Sequence, residues 1–292
     1  MQLQQVLPAL TANGVALFAI SYDTVETLAS FAEIHRIGYS LLSDDGSLVM
    51  RRLGLINERV QEDHAVYGIA PNPRHVNLPY PGVFVLDERG TIVQKRFHES
   101  YRERDTGPGL IAETLGIFSP RHEVGVETEN DMVRVRAWLD SPTYCAFQRL
   151  HLVVELAIAP GLHVYGSPTP EAYVPLGIEV TAIPGMDVKS GRWPSSRPFR
   201  VPGLNEQFLV HEGTVRGLLP LVFTAPPGAG DHVIKAIVRY QLCSASTCWP
   251  PATIPVELPV REVALAGRSL PAARSRHACE PGARARLSHV DC

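Results

Sequence analysis

The sequence predicts an α/β domain followed by an all-β antiparallel sandwich, and three observations carry that prediction. The first is length: 292 residues at 45% hydrophobic and 20% charged exceed the usual single core and favour two. The second is a change of pattern near residue 120, where helical spacing and short apolar runs give way to strands alone. The third is the distribution of the five cysteines, Cys145, Cys243, Cys248, Cys279 and Cys292, none of which lies in the first part. The boundaries read as an α/β domain over 1–118, a sandwich over 121–260 and a basic, disordered tail over 261–292.

The elements follow in order. Leu3, Val6, Leu7 and Leu10 recur at helical spacing around Pro8, and Asn13-Gly14 ends that helix. Val15 to Ile20 is short, continuous and apolar, as a strand buried on both faces would be. Asp23 and Glu26 have the form of a capping box for a helix whose apolar face is Val25, Leu28, Ala29 and Ala32. Tyr39 to Leu42 is a second short strand, Ser47 to Leu53 a short helix ended by Gly54, and 55–79 an irregular stretch. Pro81 to Phe97 places two apolar runs around Asp87-Glu-Arg-Gly90, a β-hairpin, and 107–116 closes the domain as a helix. Val133, Val135 and Ala137 then alternate with Arg134 and Arg136, followed by apolar runs at 150–158, 176–183, 207–211, 215–224, 232–241 and 253–260 with Pro- and Gly-rich turns between them.

Composition narrows function. A net charge of −3 offers no electrostatic reason to bind nucleic acid. No apolar run approaches a membrane-spanning length, and the N-terminus lacks the pattern of a secretory signal. Phosphate-binding glycine loops, HExxH and paired-carboxylate signatures are absent, so no cofactor is expected. Arg102 and Arg104 read as solvated arginines rather than anion ligands. His163, in Gly161-Leu-His-Val-Tyr165, invites a catalytic reading but has no nucleophile motif beside it in sequence.

The cysteines are the chemical signal. Cys243-Ser-Ala-Ser-Thr-Cys248 follows a β run, and four intervening residues let the chain turn back so that the two cysteines face each other. Opposed residues at a non-hydrogen-bonded position have Cα atoms about 4.5 Å apart, a spacing that a disulfide tolerates. Three readings stand for the pair: a redox-active dithiol, an inert structural disulfide, or half of a metal site, the last disfavoured because no histidine lies nearby in sequence. Cys145 reads as a buried thiol, and Cys279 and Cys292 lie in the tail, paired with each other or reduced.

Two resemblances sharpen this. Gly14-Val-Ala-Leu-Phe-Ala-Ile-Ser-Tyr-Asp23, Tyr39-Ser-Leu-Leu-Ser-Asp44 and Pro81-Gly-Val-Phe-Val-Leu-Asp-Glu-Arg-Gly90 resemble the redoxin or peroxiredoxin-like (AhpC/TSA-type) branch of the thioredoxin fold. The resemblance implies that the first strand and the start of the nucleophile-bearing helix are missing, either because the chain lacks an N-terminal piece or because the domain has lost catalysis. It also implies that Pro81 is the cis-proline of that fold, the bland alternative being a trans proline at the start of an edge strand. Tyr240-Gln-Leu-Cys243 and Cys248-Trp-Pro-Pro251 resemble the N-terminal, immunoglobulin-like domain of the thiol-disulfide interchange protein DsbD. That resemblance implies that Cys243 and Cys248 are exchanging thiols, shielded by Tyr240 and Trp249. It further implies thioredoxin-like or other thiol-disulfide exchange partners and a periplasmic setting. The alternative is a non-enzymatic binding module with a structural disulfide.

Overall fold

The computed structural model describes residues 2–66, 70, 78–98, 103–118, 125–200, 207–224 and 230–263. The expectations for the tail beyond Val263, with Cys279 and Cys292, and for Arg102 lie outside these residues, while Arg261 and Glu262, read as the start of the tail, close the last strand instead.

The N-terminal part runs α1 (Gln2–Ala12), β1 (Phe18–Ser21), α2 (Val25–His35), β2 (Ser40–Ser43), α3 (Leu48–Arg52), α4 (Val60–Val66), β3 (Gly82–Leu86), β4 (Ile92–Phe97), β5 (Arg104–Asp105) and α5 (Gly107–Leu115). Most of these follow the sequence reading, with three corrections. Thr24, not Asp23, caps α2, its side chain accepting from the Thr27 N–H, while Asp23 is occupied by the Ser21 hydroxyl. The stretch 55–79, read as irregular, contains α4. The Tyr80–Pro81 bond, expected to be cis, is not: the cis peptide among the described residues is Ser167–Pro168. Pro81 instead enters β3, whose only strand partner among the described residues is β4, and a proline at such an entry forfeits no ladder hydrogen bond.

β1 and β2 pair in parallel and β3 and β4 antiparallel, as two separate two-stranded sheets. Phe18 is 59% exposed and Ile20 44%, so the pattern read as burial on both faces is buried on neither. The stable packing of this part is elsewhere: α1 lies along α5, with Val6, Leu10 and Ile111 forming a buried cluster flanked by Leu3, Leu115 and Ile117.

The second part is all strand: β6 (Gly125–Glu129), β7 (Val133–Leu139), β8 (Thr143–Tyr144), β9 (Gln148–Ile158), β10 (His163–Tyr165), β11 (Gly177–Thr181), β12 (Met186–Val188), β13 (Arg197–Arg200), β14 (Gln207–His211), β15 (Thr214–Phe223), β16 (Asp231–Tyr240), β17 (Leu242–Cys243) and β18 (Ala252–Glu262). One sheet has the order β12-β15-β9-β7-β6, with β5 added in parallel to the start of β9. A second runs β11-β16-β18-β8, and a third β13-β14-β10-β17. The inward residues of β7, β9, β15, β16 and β18, among them Leu152, Leu156, Leu221, Ile234 and Leu258, form one continuous core. Their period-two alternation puts every second side chain there.

The outer face of the β15-β9-β7 sheet is covered by α5. Ala112 packs against Trp138, Val153 and Leu218, with Phe118 at the margin. β9 is therefore buried on both faces, which is why its sequence is nearly continuously apolar. The exceptions on that outer face are charged and paired. His151, fully buried, binds Asp140 through Nδ1 at 2.9 Å and Glu113 of α5 through Nε2 at 2.7 Å. Thr106, the N-cap of α5, donates to the same Asp140 oxygen at 2.6 Å. Arg96 of β4 pairs with Asp105 and Glu113, Arg192 with Glu113 and Arg149 with Glu103. Burial alone would depress the His151 pKa, but the two carboxylates override it and raise it to about 9. The imidazolium is thus held as a bridge between the N-terminal part and the sandwich.

Candidate disulfide site

The site is built on the third sheet. β17 is the short continuation of β16 beyond Tyr240, and it pairs antiparallel with β10, setting Cys243 opposite His163 and Leu242 opposite Val164. After Cys243 the chain turns tightly: the Ser244 N–H donates to the Thr247 carbonyl at 2.7 Å, and the Ser244 hydroxyl accepts from the Thr247 N–H at 3.0 Å. The four-residue spacer therefore brings Cys248 directly opposite Cys243. The two form a disulfide with Cα atoms 4.1 Å apart, as the spacing had suggested.

The two sulfurs live in different surroundings. Cys243 is fully buried, whereas Cys248 lies in the exposed turn. The Tyr165 hydroxyl sits 3.4 Å from Cys248 Sγ. Tyr165 is the centre of an aromatic group: Tyr173 is 4.8 Å away and Phe208 5.3 Å between ring centroids. Tyr165, Phe208, Val210 and Cys243 form one buried cluster, with Tyr173 and Phe199 packed on it. Gln241 ties the loop that carries Tyr173 to this corner, accepting from the Val174 N–H at 3.1 Å and donating to the Trp249 carbonyl at 3.2 Å.

The structure thus places the residues expected at this site in two groups. Cys243 and Cys248 come together. Tyr240 is buried in the main sandwich core and Trp249 packs against that core, so both brace the hairpin from behind. Tyr165, Tyr173, Phe199 and Phe208 stand on the disulfide face and were not singled out in the sequence, because they come from three separate stretches. Pro81 belongs to the β3 entry. Cys145 is a free, half-buried thiol hydrogen-bonded to Gln148 at 3.6 Å, and burial raises its pKa. Among the described residues no group of three histidines, cysteines or carboxylates is placed to hold a metal ion, and no helix is long and apolar enough to cross a membrane.

Residues 1–95 match the model of the AhpC/TSA family, and residues 140–259 match that of the N-terminal region of the thiol:disulfide interchange protein DsbD. No curated protein matches significantly. Among solved structures, the N-terminal periplasmic domain of ScsB from Proteus mirabilis is 20% identical, with a TM-score of 0.35, covering 46% of this chain and 49% of that one. This chain therefore spans about half of that domain. The reduced DsbD N-terminal domain of Neisseria meningitidis is 15% identical, with a TM-score of 0.26, covering 51% of this chain and 94% of that one. The GAE domain of GGA2p from Saccharomyces cerevisiae is 12% identical, with a TM-score of 0.28, covering 46% of this chain and 97% of that one. The α/β part is thioredoxin-like where it matches the AhpC/TSA model, and the sandwich is immunoglobulin-like where it matches the DsbD N-terminal model.

Proposed function

We propose that this protein is a thiol-disulfide oxidoreductase module that passes electrons through Cys243 and Cys248 to thioredoxin-like or other exchange proteins. The observation that supports this best is the asymmetry of the pair: an exposed Cys248 that a partner can reach, joined to a buried Cys243 that it cannot. In the forward step a partner thiolate attacks Cys248 Sγ along the S–S axis. A bond forms between the partner sulfur and Cys248, and the Cys243–Cys248 bond breaks with its electron pair leaving on Cys243. A second partner thiolate then attacks the partner sulfur of the mixed disulfide and releases Cys248, so that the pair is reduced by two electrons and the partner oxidised by two. The reverse sequence hands those electrons to an acceptor disulfide, with Cys243 resolving the mixed disulfide.

Tyr240 and Trp249 act in this reading as the rigid backing of the hairpin, and the Tyr165 group limits approach to one side of Cys248. Residues 1–118, which contain no cysteine, serve as a docking or scaffolding domain beside the sandwich domain of 121–260 rather than as a second redox centre. An oxidising compartment such as the periplasm is where such an exchanger works. The complete burial of Cys243 favours one competing reading, a structural disulfide in a binding module. The redox midpoint of the pair, measured by alkylation and mass spectrometry across defined glutathione and dithiothreitol buffers, decides between them. A value above about −300 mV is expected for an exchanging pair. A value well below it, or cysteines that never pair, would leave the binding module.

A further inference from the structure

His163 has no nucleophile near it in sequence, and the fold supplies one. The antiparallel pairing of β10 with β17 sets His163 directly opposite Cys243, and Cys248 faces Cys243 from its other side. Residues opposed in this way point to the same face with Cβ atoms about 5 Å apart, within reach of an imidazole and a sulfur. We propose that His163 is the base that takes the proton from the Cys243 thiol when that thiol resolves a mixed disulfide on Cys248. This deepens the exchange function proposed above and rests on it.

The surroundings fit a neutral, proton-accepting imidazole. His163 is 2% exposed, and its ring lies 4.4 Å from Phe199 and 5.9 Å from Tyr165 between centroids. Among the described residues no hydrogen bond ties up either ring nitrogen. The groups that act on it are Cys243 from β17, Tyr165 from its own strand, Arg197 from β13 and Glu212 after β14. Burial lowers its pKa first, Glu212 raises it and Arg197 lowers it, with a net fall below the ordinary value. A buried thiol such as Cys243 resists ionisation in the same apolar setting and gains from a base on the residue paired opposite it.

The resolving step balances as follows. The Cys243 S–H proton moves to an imidazole nitrogen while the Cys243 electron pair forms the bond to Cys248 Sγ. The bond from Cys248 to the partner sulfur breaks, and its electron pair departs on the partner as thiolate. The imidazolium then returns its proton to solvent. In the opposite direction His163 delivers the proton to Cys243 as its sulfur leaves.

The test uses the full-length chain carrying Cys145→Ala, Cys279→Ala and Cys292→Ala, reduced and treated with Ellman's reagent. The exposed Cys248 is capped with release of one thionitrobenzoate, and Cys243 then expels a second, followed at 412 nm from pH 5 to pH 9. With His163 present, the second phase is expected to rise with pH and level off below about pH 6.5, where the imidazole becomes neutral. With His163→Gln the plateau is lost, the rate climbs about tenfold per pH unit toward the range of the thiol itself, and at pH 7 it is at least about tenfold slower. His163→Phe keeps a ring against Phe199 without a nitrogen, must behave like His163→Gln, and decides the matter should the glutamine variant misfold. Variant profiles that superimpose on the parent would overturn the role of His163 while leaving exchange intact. A parent protein that never releases the second thionitrobenzoate would overturn the exchange function as well.

Discussion

Replacing His151 with glutamine tests the seam between the N-terminal part and the sandwich. In the native protein the imidazolium, with no exposed surface, bridges Asp140 and Glu113, and its pKa is raised from the ordinary 6.5 to about 9. A difference of that size, at 1.36 kcal/mol per pH unit, is worth about 3 kcal/mol of stability. Because the folded pKa lies above the unfolded one, this contribution is complete below about pH 6.5, declines between about 6.5 and 9, and is gone above that. Removing one partner of a buried ionic group costs about 3 to 5 kcal/mol. The lower end applies here, because Glu113 keeps Arg96 and Arg192 and Asp140 keeps Thr106. His151→Gln is therefore expected to be about 3 kcal/mol less stable at pH 6, to show little pH dependence between 6.5 and 9, and to converge on the parent at pH 9.5. Urea unfolding read by tryptophan fluorescence reports this, since Trp138 is buried under α5. Hydrogen exchange over the α5 peptide reads seam opening separately. A parent whose stability does not fall between pH 6.5 and 9, or a variant that follows the same slope, would refute a protonated bridge.

Further expectations come from the same structure. Gly109→Ala sets a methyl group 2.2 Å from His151 Nδ1 and 2.5 Å from Asp140 Oδ2, so it should lower stability by about 2 kcal/mol or more in thermal melts, although alanine is the better helix former. Thr106→Val removes both the bond to Asp140 and the cap on the Gly109 N–H, and should cost about 1 to 2 kcal/mol by urea titration. Leu156→Ala, at a fully buried position facing the sandwich core, should cost about 2 to 5 kcal/mol without altering the midpoint potential of the disulfide. After reduction, maleimide should label Cys248 at least about tenfold faster than Cys243; equal rates would remove the asymmetry on which the exchange function rests.

Local patterns in the sequence determined a large part of this protein. Alternation and apolar runs located β7, β9, β14, β15, β16 and β18, since a strand with one or both faces buried writes its period into its own residues. Asp87-Glu-Arg-Gly90 placed the hairpin, and four residues between Cys243 and Cys248 sufficed to predict that the two could meet. The short strands β10, β13 and β17 carry too few residues to show a period, yet they hold the site, so Tyr165 and Phe199 were not legible as its walls; Phe208 sits on the legible β14, but only the β10–β14 pairing brings it to Tyr165. His163 was visible as a residue but not as a partner of Cys243, because 80 positions of chain separate them and only the β10–β17 register joins them. Likewise nothing in the sequence singled out His151 or Asp140, which meet Glu113 and Thr106 only where α5 packs on the sheet. Charges in a core are tolerable only when opposite charges arrive from elsewhere, and that arrival is a property of tertiary packing alone.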